Sequence, residues 1–362
     1  MSKVHNFSAG PAILPQSAID ASVEALKNFA GTGLSLIEIS HRSKEYEAVV
    51  NEATQLVKDI LGLSDEYAVV FLQGGASLQF DMIPMNWLGE NQTAAYVNTG
   101  VWASRAIKEA KLFGNVNVLA SSEDKNFSYI PKNYTIPSDA VYYHCTSNNT
   151  IYGTEMFDFP DTNGVPLVCD MSSDIFSRPF DASKFDLIYA GAQKNMGPAG
   201  TTLVIIKKSF LEKRASRAIP TMLDYKVHIE NGSMYNTPSV FAIFVCMHTL
   251  RWIKSIGLEA MEARNKAKAD LLYAEIDRNP LFTGTVAVED RSRMNVNFVL
   301  TDKTQEEEFL KFCKSKNLSG LKGHRSVGGL RASLYNALEL ESVQALVDAM
   351  QEFEKMKSSA TV

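Results

Sequence analysis

The sequence is poor in cysteine and lacks long apolar runs. Only four of its 362 residues are cysteines, and none forms a C-x-x-C pair, which argues against a disulfide framework and against a cysteine zinc site. No stretch of about 18 apolar residues is present to span a bilayer. The first residues also lack the apolar core of a secretion signal. We therefore expect a soluble, cytoplasmic protein with neither a disulfide nor a bound metal.

An excess of basic charge is also missing. Lysine and arginine total 36 against 41 aspartate and glutamate residues, which gives a formal net charge of −5. Such a chain has no surplus cations to neutralise a nucleic-acid backbone, so we expect no nucleic-acid partner and only a local site for any anion. Its length exceeds what one hydrophobic core usually supports, which predicts a large domain and a smaller one.

The chain alternates helical and strand-like segments from about residue 16 to 260. This alternation is typical of an α/β fold with a mainly parallel central sheet covered by helices. The clearest predicted strands are 67–72, 93–98, 139–145, 165–170, 185–190 and 201–207. The clearest predicted helices are 44–61, 77–88, 101–113 and 239–256.

The pattern changes after Gly257. A charge-rich helix over 258–277 leads to a strand (MNVNFVL), a helix (TQEEEFLKFCKSKN), a strand (RASLYN) and a last helix over 338–357. Helices packed on a small sheet make a plausible second domain. We predict a large domain over 16–257 and a small C-terminal α/β domain over 258–362, which the N-terminal segment 1–15 joins.

An acid and a lysine stand near the ends of two successive predicted strands. Asp170 closes the run PLVCD, and Lys194 follows 24 residues later, after the strand DLIYA. Neighbouring parallel strands would bring both side chains to one edge of the sheet. A pyridoxal phosphate enzyme needs this pair, because a lysine holds the aldehyde as a Schiff base and a carboxylate keeps the pyridine nitrogen protonated. A solvated loop lysine is the alternative.

The run VVFLQGGASLQF predicts a strand, a glycine turn and a helix. Gly74 and Gly75 form the turn, and the helix starts near Ala76. Backbone amides at a helix N-terminus can cradle a phosphate dianion, and Ser77 could add a hydroxyl group. A tight turn without a ligand is the alternative. A nicotinamide fingerprint fits less well, because the spacing is not G-x-G-x-x-G.

Three more polar or aromatic residues follow predicted strands. Trp102 opens a helix and could stack on a planar ring, although a core tryptophan is the commoner case. Thr150 follows the strand 139–145, and Gln193 directly precedes Lys194. Ligands bind beyond the carboxyl ends of strands in open α/β sheets, so these residues are candidates for one cofactor site.

Two His-Arg pairs and a further arginine form a second group of candidates. They are His41 and Arg42, His324 and Arg325, and Arg331. Guanidinium groups match carboxylates and phosphates bidentately, so the group suits a substrate with an anion at each end. For any single arginine, a surface ion pair is the alternative.

The whole sequence resembles the phosphoserine aminotransferase family, whose members are class V, fold type I pyridoxal phosphate enzymes. The segments that carry the resemblance are NFSAGPAILP (6–15), SHRSKEY (40–46), QGGASLQF (73–80), NTGVWA (98–103), CDMSSDIFSRP (169–179), GAQKNMGPAG (191–200), MYNTPS (234–239) and GHRSVGGLRASLYNA (323–337). They run from the N-terminus into the C-terminal domain. Their combination is specific to this family rather than to aminotransferases in general.

The resemblance implies a role for each matching residue. Lys194 would be the Schiff-base lysine and proton carrier, Asp170 the partner of the ring nitrogen and Trp102 the stacking ring. The other residues implied to hold the cofactor are Ala76, Ser77 and Gln193 at the phosphate, Thr150 near the ring hydroxyl, and Asn236 and Thr237 from the neighbouring subunit. The active site would thus be shared within a homodimer.

The resemblance also implies the substrates. The residues expected to bind them are His41 and Arg42, His324 and Arg325 from the partner, and Arg331 at the α-carboxylate. The reaction would transfer an amino group from L-glutamate to 3-phosphohydroxypyruvate in L-serine biosynthesis, by a ping-pong mechanism. Some family members carry an arginine where this chain has Ser77, so the affinity for the distal anion differs from theirs.

Three alternatives stay open at this point. Another enzyme on the same scaffold, such as an alanine-glyoxylate aminotransferase or a cysteine desulfurase, is the nearest, but residues 318–330 hold no cysteine for desulfuration. A cofactor-free binding protein with the same fold is the second. Activity on 4-phosphohydroxythreonine in pyridoxine biosynthesis is a further possibility that the sequence does not decide.

Overall fold

The computed structural model describes residues 3–359, so the two outermost residues of the predicted N-terminal segment and residues 360–362 of the predicted small domain lie outside it. The strands are β1 (His5–Asn6), β2 (Tyr67–Leu72), β3 (Thr93–Asn98), β4 (Asn115–Ser121), β5 (Tyr143–Thr146), β6 (Asn148–Asn149), β7 (Thr154–Glu155), β8 (Leu167–Asp170), β9 (Leu187–Gly191), β10 (Thr202–Lys207), β11 (Phe282–Gly284), β12 (Asn295–Leu300), β13 (Leu318–Ser319) and β14 (Leu330–Ser333). The α-helices are α1 (Gln16–Lys27), α2 (Lys44–Leu61), α3 (Gly75–Trp87), α4 (Val101–Ala110), α5 (Lys208–Leu211), α6 (Tyr225–Glu230), α7 (Val240–Ile256), α8 (Leu258–Arg278), α9 (Glu306–Ser315) and α10 (Leu340–Ser359).

A seven-stranded sheet with the order β2-β10-β9-β8-β5-β3-β4 forms the centre of the molecule. Only β10 runs against its neighbours, β2 and β9; the other pairs are parallel. Residues 192–201 link β9 to β10, and this link is shorter than the crossover that a parallel return requires. The predicted α/β fold with a mainly parallel sheet is therefore confirmed, with β10 as its exception.

Helices cover both faces of this sheet. Alternate residues of β2 show the arrangement: Val69 and Phe71 pack with α2 and α7, whereas Val70 and Leu72 pack with α3 and α4. Burial on both faces explains why the strands read as continuous apolar runs instead of alternating ones. The parallel strands therefore all end at one edge, which the helices leave open to ligands.

A second group of elements follows α7. Strands β11, β12 and β14 form an antiparallel sheet, and α8, α9 and α10 pack with it around a separate apolar cluster. Phe7 is fully buried in that cluster, and β1 pairs with β13. The N-terminal segment therefore contacts this second group, although the exact domain boundaries stay a prediction.

Most predicted helices differ at one or both ends from the observed ones, α7 to α10 by one or two residues and α3 and α4 by up to three. Helix α3 begins at Gly75 rather than at residue 77, and α4 ends at Ala110 rather than at residue 113. The sequence analysis did not include β4, an edge strand in which asparagine and valine alternate at the start and no side chain is fully buried.

No single helix among residues 3–359 is long and apolar enough to cross a membrane. The pair α7 and α8, bent by 91° at Gly257, passes the same test of length and composition.

Candidate active site

The predicted Lys194 lies at the carboxyl edge of the central sheet, in the loop after β9. Its Nζ donates a 2.6 Å hydrogen bond to Thr150 Oγ1 and lies 5.7 Å from the centre of the Trp102 ring. Burial lowers the pKa of Lys194 to about 8, although the negative charge of Asp170 opposes this shift. An amine with this pKa is neutral far more often at pH 7 than a surface lysine, so it can attack a carbonyl carbon.

Asp170 is the last residue of β8 and is only 5% exposed. Its Oδ1 accepts hydrogen bonds from the Ser172 amide (2.9 Å) and the Ser172 hydroxyl (2.6 Å). Burial raises the pKa of Asp170, and the positive charge of Lys194 and the bonds from Ser172 oppose the rise. Ser172 was not among the predicted site residues; an Asp-x-Ser turn after a strand was the signal that could have indicated it.

The glycine turn after β2 has the conformation that the phosphate-site hypothesis requires. Gly74 and Gly75 have φ angles of +90° and +67°, and no side chain caps the N-terminus of α3. The amides of Ala76 and Ser77 therefore lie in an uncapped first helical turn, which attracts anions. A Cβ atom at Gly74 would lie 2.6 Å from Leu78, so only glycine fits there without a shift.

These features fit pyridoxal phosphate: an uncapped helix N-terminus for the phosphate, a half-buried tryptophan with an unpartnered ring nitrogen, and a lysine opposite a buried carboxylate. The N-terminal segment passes close to Lys194 and Gln193. A Cβ atom at Gly10 would lie 3.3 Å from Lys194 Cγ, and the Ala12 amide donates to the Gln193 carbonyl oxygen. The Gln193 side chain folds back over Gly191.

Asn236 and Thr237 lie beside Gln73 of their own chain, next to the glycine turn. The Gln73 side-chain amide donates to the Thr237 carbonyl oxygen (2.9 Å), and Asn236 Nδ2 donates to Gln73 Oε1 (3.4 Å). Within one chain these residues therefore border the phosphate-site turn, and their contact with a second subunit stays a prediction.

Arg331 lies beside Lys194, and its positive charge also acts on His324. Arg331 Nη1 donates to the Thr150 carbonyl oxygen (3.5 Å), while its buried Nε has no partner. Burial lowers the pKa of His324, and the charges of Arg331, Arg325 and Arg105 lower it further. The resemblance implies that His324 and Arg325 serve the partner's site, and that assignment stays a prediction.

His41 and Arg42 lie elsewhere, in the turn before α2. Ser43 caps that helix by accepting from the Tyr46 amide. The Nε2 atom of His41 is buried without a hydrogen-bond partner, and Arg42 is exposed. Within residues 3–359 of one chain, no hydrogen bond or ion pair joins this pair to Lys194 or Arg331.

Known proteins similar to this chain agree on one family. The sequence matches the family Aminotransferase class-V over residues 4–346. A phosphoserine aminotransferase of Flavobacterium johnsoniae is 60% identical over 354 residues, which cover 97% of this chain and 99% of that protein. The structure of the phosphoserine aminotransferase from Bacillus circulans subsp. alkalophilus is 48% identical and superposes with a TM-score of 0.95 over 98% of this chain and 99% of that one.

A structure from Trichomonas vaginalis, described as phosphoserine aminotransferase with bound pyridoxal phosphate, is 39% identical with a TM-score of 0.91; the match covers 96% of this chain and 100% of that one. The cofactor of this family is thus the one that the uncapped helix, Trp102, Asp170 and Lys194 fit. The chain belongs to the phosphoserine aminotransferases of the class-V aminotransferase family.

Proposed function

We propose that the chain reversibly transfers an amino group from L-glutamate to 3-phosphohydroxypyruvate, giving O-phospho-L-serine and 2-oxoglutarate, a step of L-serine biosynthesis. The observation that carries the proposal is the position of Arg331, whose Nη1 donates to the carbonyl oxygen of Thr150, the residue whose hydroxyl accepts from Lys194. The charges of Arg331, Arg325 and Arg105 in turn all act on His324. This arrangement suits a substrate that reacts at Cα and carries anions at both ends.

Bound pyridoxal phosphate supplies a ring that takes up the electrons released when the substrate Cα–H bond breaks. Asp170 would hold the ring nitrogen protonated, because its carboxylate is fixed by Ser172. Lys194 Nζ would take the proton from the substrate Cα and return it later, since its lowered pKa suits both directions near neutral pH. Thr150, which accepts from Nζ, would orient the amine between these steps.

The remaining residues would bind the substrate ends. Arg331 would pair with the α-carboxylate, because it lies beside Thr150 and keeps an unpartnered nitrogen. His324 and Arg325 would face the distal phosphate or γ-carboxylate together with His41 and Arg42. Both distal groups are anions at a similar distance from Cα, so one pocket would serve both half-reactions of the ping-pong cycle.

A homodimer with shared active sites is part of the proposal. Five apolar residues on α1 and the segment after it are between 38% and 66% exposed: Ile19, Val23, Leu26, Leu34 and Ile37. Apolar side chains exposed in such a group favour a protein interface. The neighbouring His41 and Arg42 would then enter the partner's site, which explains why they do not contact Lys194 of their own chain.

Three finer statements accompany the proposal. The cysteines Cys145, Cys169, Cys246 and Cys313 are all free and buried, and free thiols favour a location in the cytoplasm. The large domain over 16–257 would bind the cofactor, and the small domain over 258–362, with segment 1–15, would carry Arg331. Activity on 4-phosphohydroxythreonine would use the same distal anion pocket.

A coupled assay tests the proposed activity. Purified enzyme receives L-glutamate and, in separate reactions, phosphorylated and unphosphorylated 3-carbon oxo-acids. We expect turnover with 3-phosphohydroxypyruvate and at least about tenfold lower kcat/KM without the phosphate, the effect of about one charge-assisted pair. Equal activity without the phosphate would refute the substrate. The Lys194→Ala variant is the control, and undiminished turnover in it would refute the catalytic assignment.

The nearest rival is an alanine-glyoxylate aminotransferase. Alanine has no distal anion, so it would leave His324 and its neighbouring arginines without a partner. The same assay with alanine as donor separates the two activities, because preference for alanine over glutamate would favour the rival.

A further inference from the structure

A basic side chain beside Trp102 has no part in the roles described so far. Arg105 lies on α4, less than one turn after Trp102, and its guanidinium carbon is 4.8 Å from the centre of the indole ring. Its charge also lowers the pKa of His324, as do Arg325 and Arg331. Lys194 Nζ lies 5.7 Å from the centre of the same ring, so Arg105 stands at the edge of the Lys194 site, and we group it with His324, Arg325 and Arg331.

This group of cations has no neutralising acid within residues 3–359. None of the ion pairs there involves Arg105, His324, Arg325 or Arg331, and the charges acting on His324 are all positive. Like charges held together destabilise one another unless an anion binds between them. The arrangement therefore has the character of a site for a group with more than one negative charge.

The start of α3 supplies no such charge. Ser77 is neutral, so the distal anion depends on cations from other elements. A guanidinium on α4 is suited to this, because its planar face lies over the indole ring while the N–H groups at its edge can pair with phosphate oxygens.

We propose that Arg105 binds the distal phosphate and sets the preference for the phosphorylated substrate over glutamate. The phosphate carries nearly two charges and the γ-carboxylate one, so a cation at this position favours the phosphate. The proposal rests on the proposed function, because it assigns a specificity residue to the same reaction. Trp102 and Arg105 thereby link the cofactor face of the site to its substrate end.

Two variants test this role. Arg105→Met keeps the apolar stem over Trp102 but removes the charge, whereas Arg105→Lys keeps a charge. Lys108→Met is the matched control, since Lys108 is an 81% exposed cation on the same helix whose one ion pair within residues 3–359 is with Glu109, at 3.9 Å. Cofactor content and the midpoint of thermal unfolding are measured first for all three variants.

For Arg105→Met we expect the KM for O-phospho-L-serine to rise about tenfold and that for L-glutamate at most about threefold, because a dianion loses more from one missing cation. We expect kcat to stay within about twofold of the wild type. Inorganic phosphate, used as a competitive inhibitor, should bind about tenfold more weakly. Arg105→Lys should recover most of each effect, and Lys108→Met should match the wild type.

An equal change in both KM values, or a lower kcat with unchanged selectivity, would overturn the proposal and leave Arg105 as a support for the Trp102 ring. Unchanged binding of inorganic phosphate would overturn it as well. If the wild type itself does not use O-phospho-L-serine, the proposed function fails before the variants are compared. The two failures are therefore distinguishable.

Discussion

At the scale of single residues, the candidate site depends on the hydrogen bonds that fix the buried charged groups of Lys194 and Asp170. Lys194 has an uncharged hydrogen-bond partner, Thr150, while its countercharge, Asp170, is held by Ser172. The carboxylate thus keeps a fixed orientation and the amine keeps a lowered pKa. This separation lets the lysine leave its place and return without moving the acid.

Replacing Ser172 by alanine tests that support. The Ser172 hydroxyl donates to Asp170 and accepts from the Gly191 amide (3.1 Å), so its loss should raise the pKa of Asp170 further. We expect kcat to fall about tenfold, the effect of one hydrogen bond to a charged group, with cofactor content unchanged.

Ser183 offers a matched control for that variant. It makes the same turn, with its amide and hydroxyl donating to Asp181, but on the exposed surface. Ser183→Ala should leave kcat unchanged. A Ser172→Ala enzyme with wild-type kcat would show that Asp170 does not need this support.

A buried lysine outside the site gives a pH prediction. Lys268 is 1% exposed and donates to the carbonyl oxygens of Leu334 and Tyr335, and burial lowers its pKa from 10.5 to about 7. The unfolded chain therefore binds more protons than the folded one between pH 7 and 10.5, so stability rises with pH across this window.

The Lys268→Met variant measures this effect. Its free energy of unfolding is compared with that of the wild type by urea titration at several pH values. The advantage of the wild type should grow by about 2 kcal/mol between pH 7 and 9. Lys266→Met, which removes an exposed ammonium paired with Asp270, should show no such trend. A constant difference for Lys268→Met would contradict the prediction.

At the scale of elements, strand ends and helix starts position the ligand groups. The uncapped start of α3 needs Gly74 at a φ of +90°, and a side chain there would collide with Leu78. The phosphate site is therefore a property of the turn between β2 and α3 as much as of any side chain.

Gly74→Ala tests the turn. We expect a loss of about 1–2 kcal/mol of stability from the left-handed backbone and, in addition, a clearly weaker hold on the cofactor, measured by equilibrium dialysis. Gly164→Ala is the control, because Gly164 has a φ of +86° with nothing within 4 Å of an added Cβ. Gly164→Ala should lose stability but keep the cofactor affinity of the wild type. Equal cofactor affinity in both variants would argue against the phosphate assignment.

At the scale of the whole molecule, we propose that a second subunit completes the active site. No hydrogen bond or ion pair among residues 3–359 joins Arg42 to Lys194 or Arg331, although a substrate with a distal anion would need the charge of Arg42. A homodimer through the apolar surface of α1 would bring the two together.

Mixed dimers test this arrangement. Lys194→Ala and Arg42→Ala subunits are each expected to be nearly inactive alone. If Arg42 serves the partner's site, random mixing leaves one intact site in each mixed dimer, and about a quarter of wild-type activity returns. Mixing Lys194→Ala with Asp170→Ala should restore nothing, since both residues serve one site. No recovery in the first mixture would place Arg42 in the site of its own chain.

Much of this architecture was predictable because local patterns carried it. The apolar runs of β2 and β3 predicted both strands with their observed bounds, and the amphipathic pattern of α2 predicted that helix. Strand β4 was missed because its mixed run NVNVLAS lacks the continuous apolar pattern of the buried strands. Ser172 lies only two residues after Asp170, and the Asp-x-Ser turn was its signal, whereas Arg105 acquires its proposed role only through His324, which is distant in the chain.

The order of the residues alone was enough to predict the α/β class, the Asp170 and Lys194 pair and the family, since strand periodicity, turn glycines and motif residues are local properties. The fold alone showed that Lys194 meets Thr150, that Ser172 holds Asp170, and that Arg105 and His324 belong to one acid-free charge group. Thr150 and Lys194 are far apart in the chain, as are Arg105 and His324, while the Ser172 contact depends on the turn that follows β8. Their burial and charge effects exist only once packing excludes water.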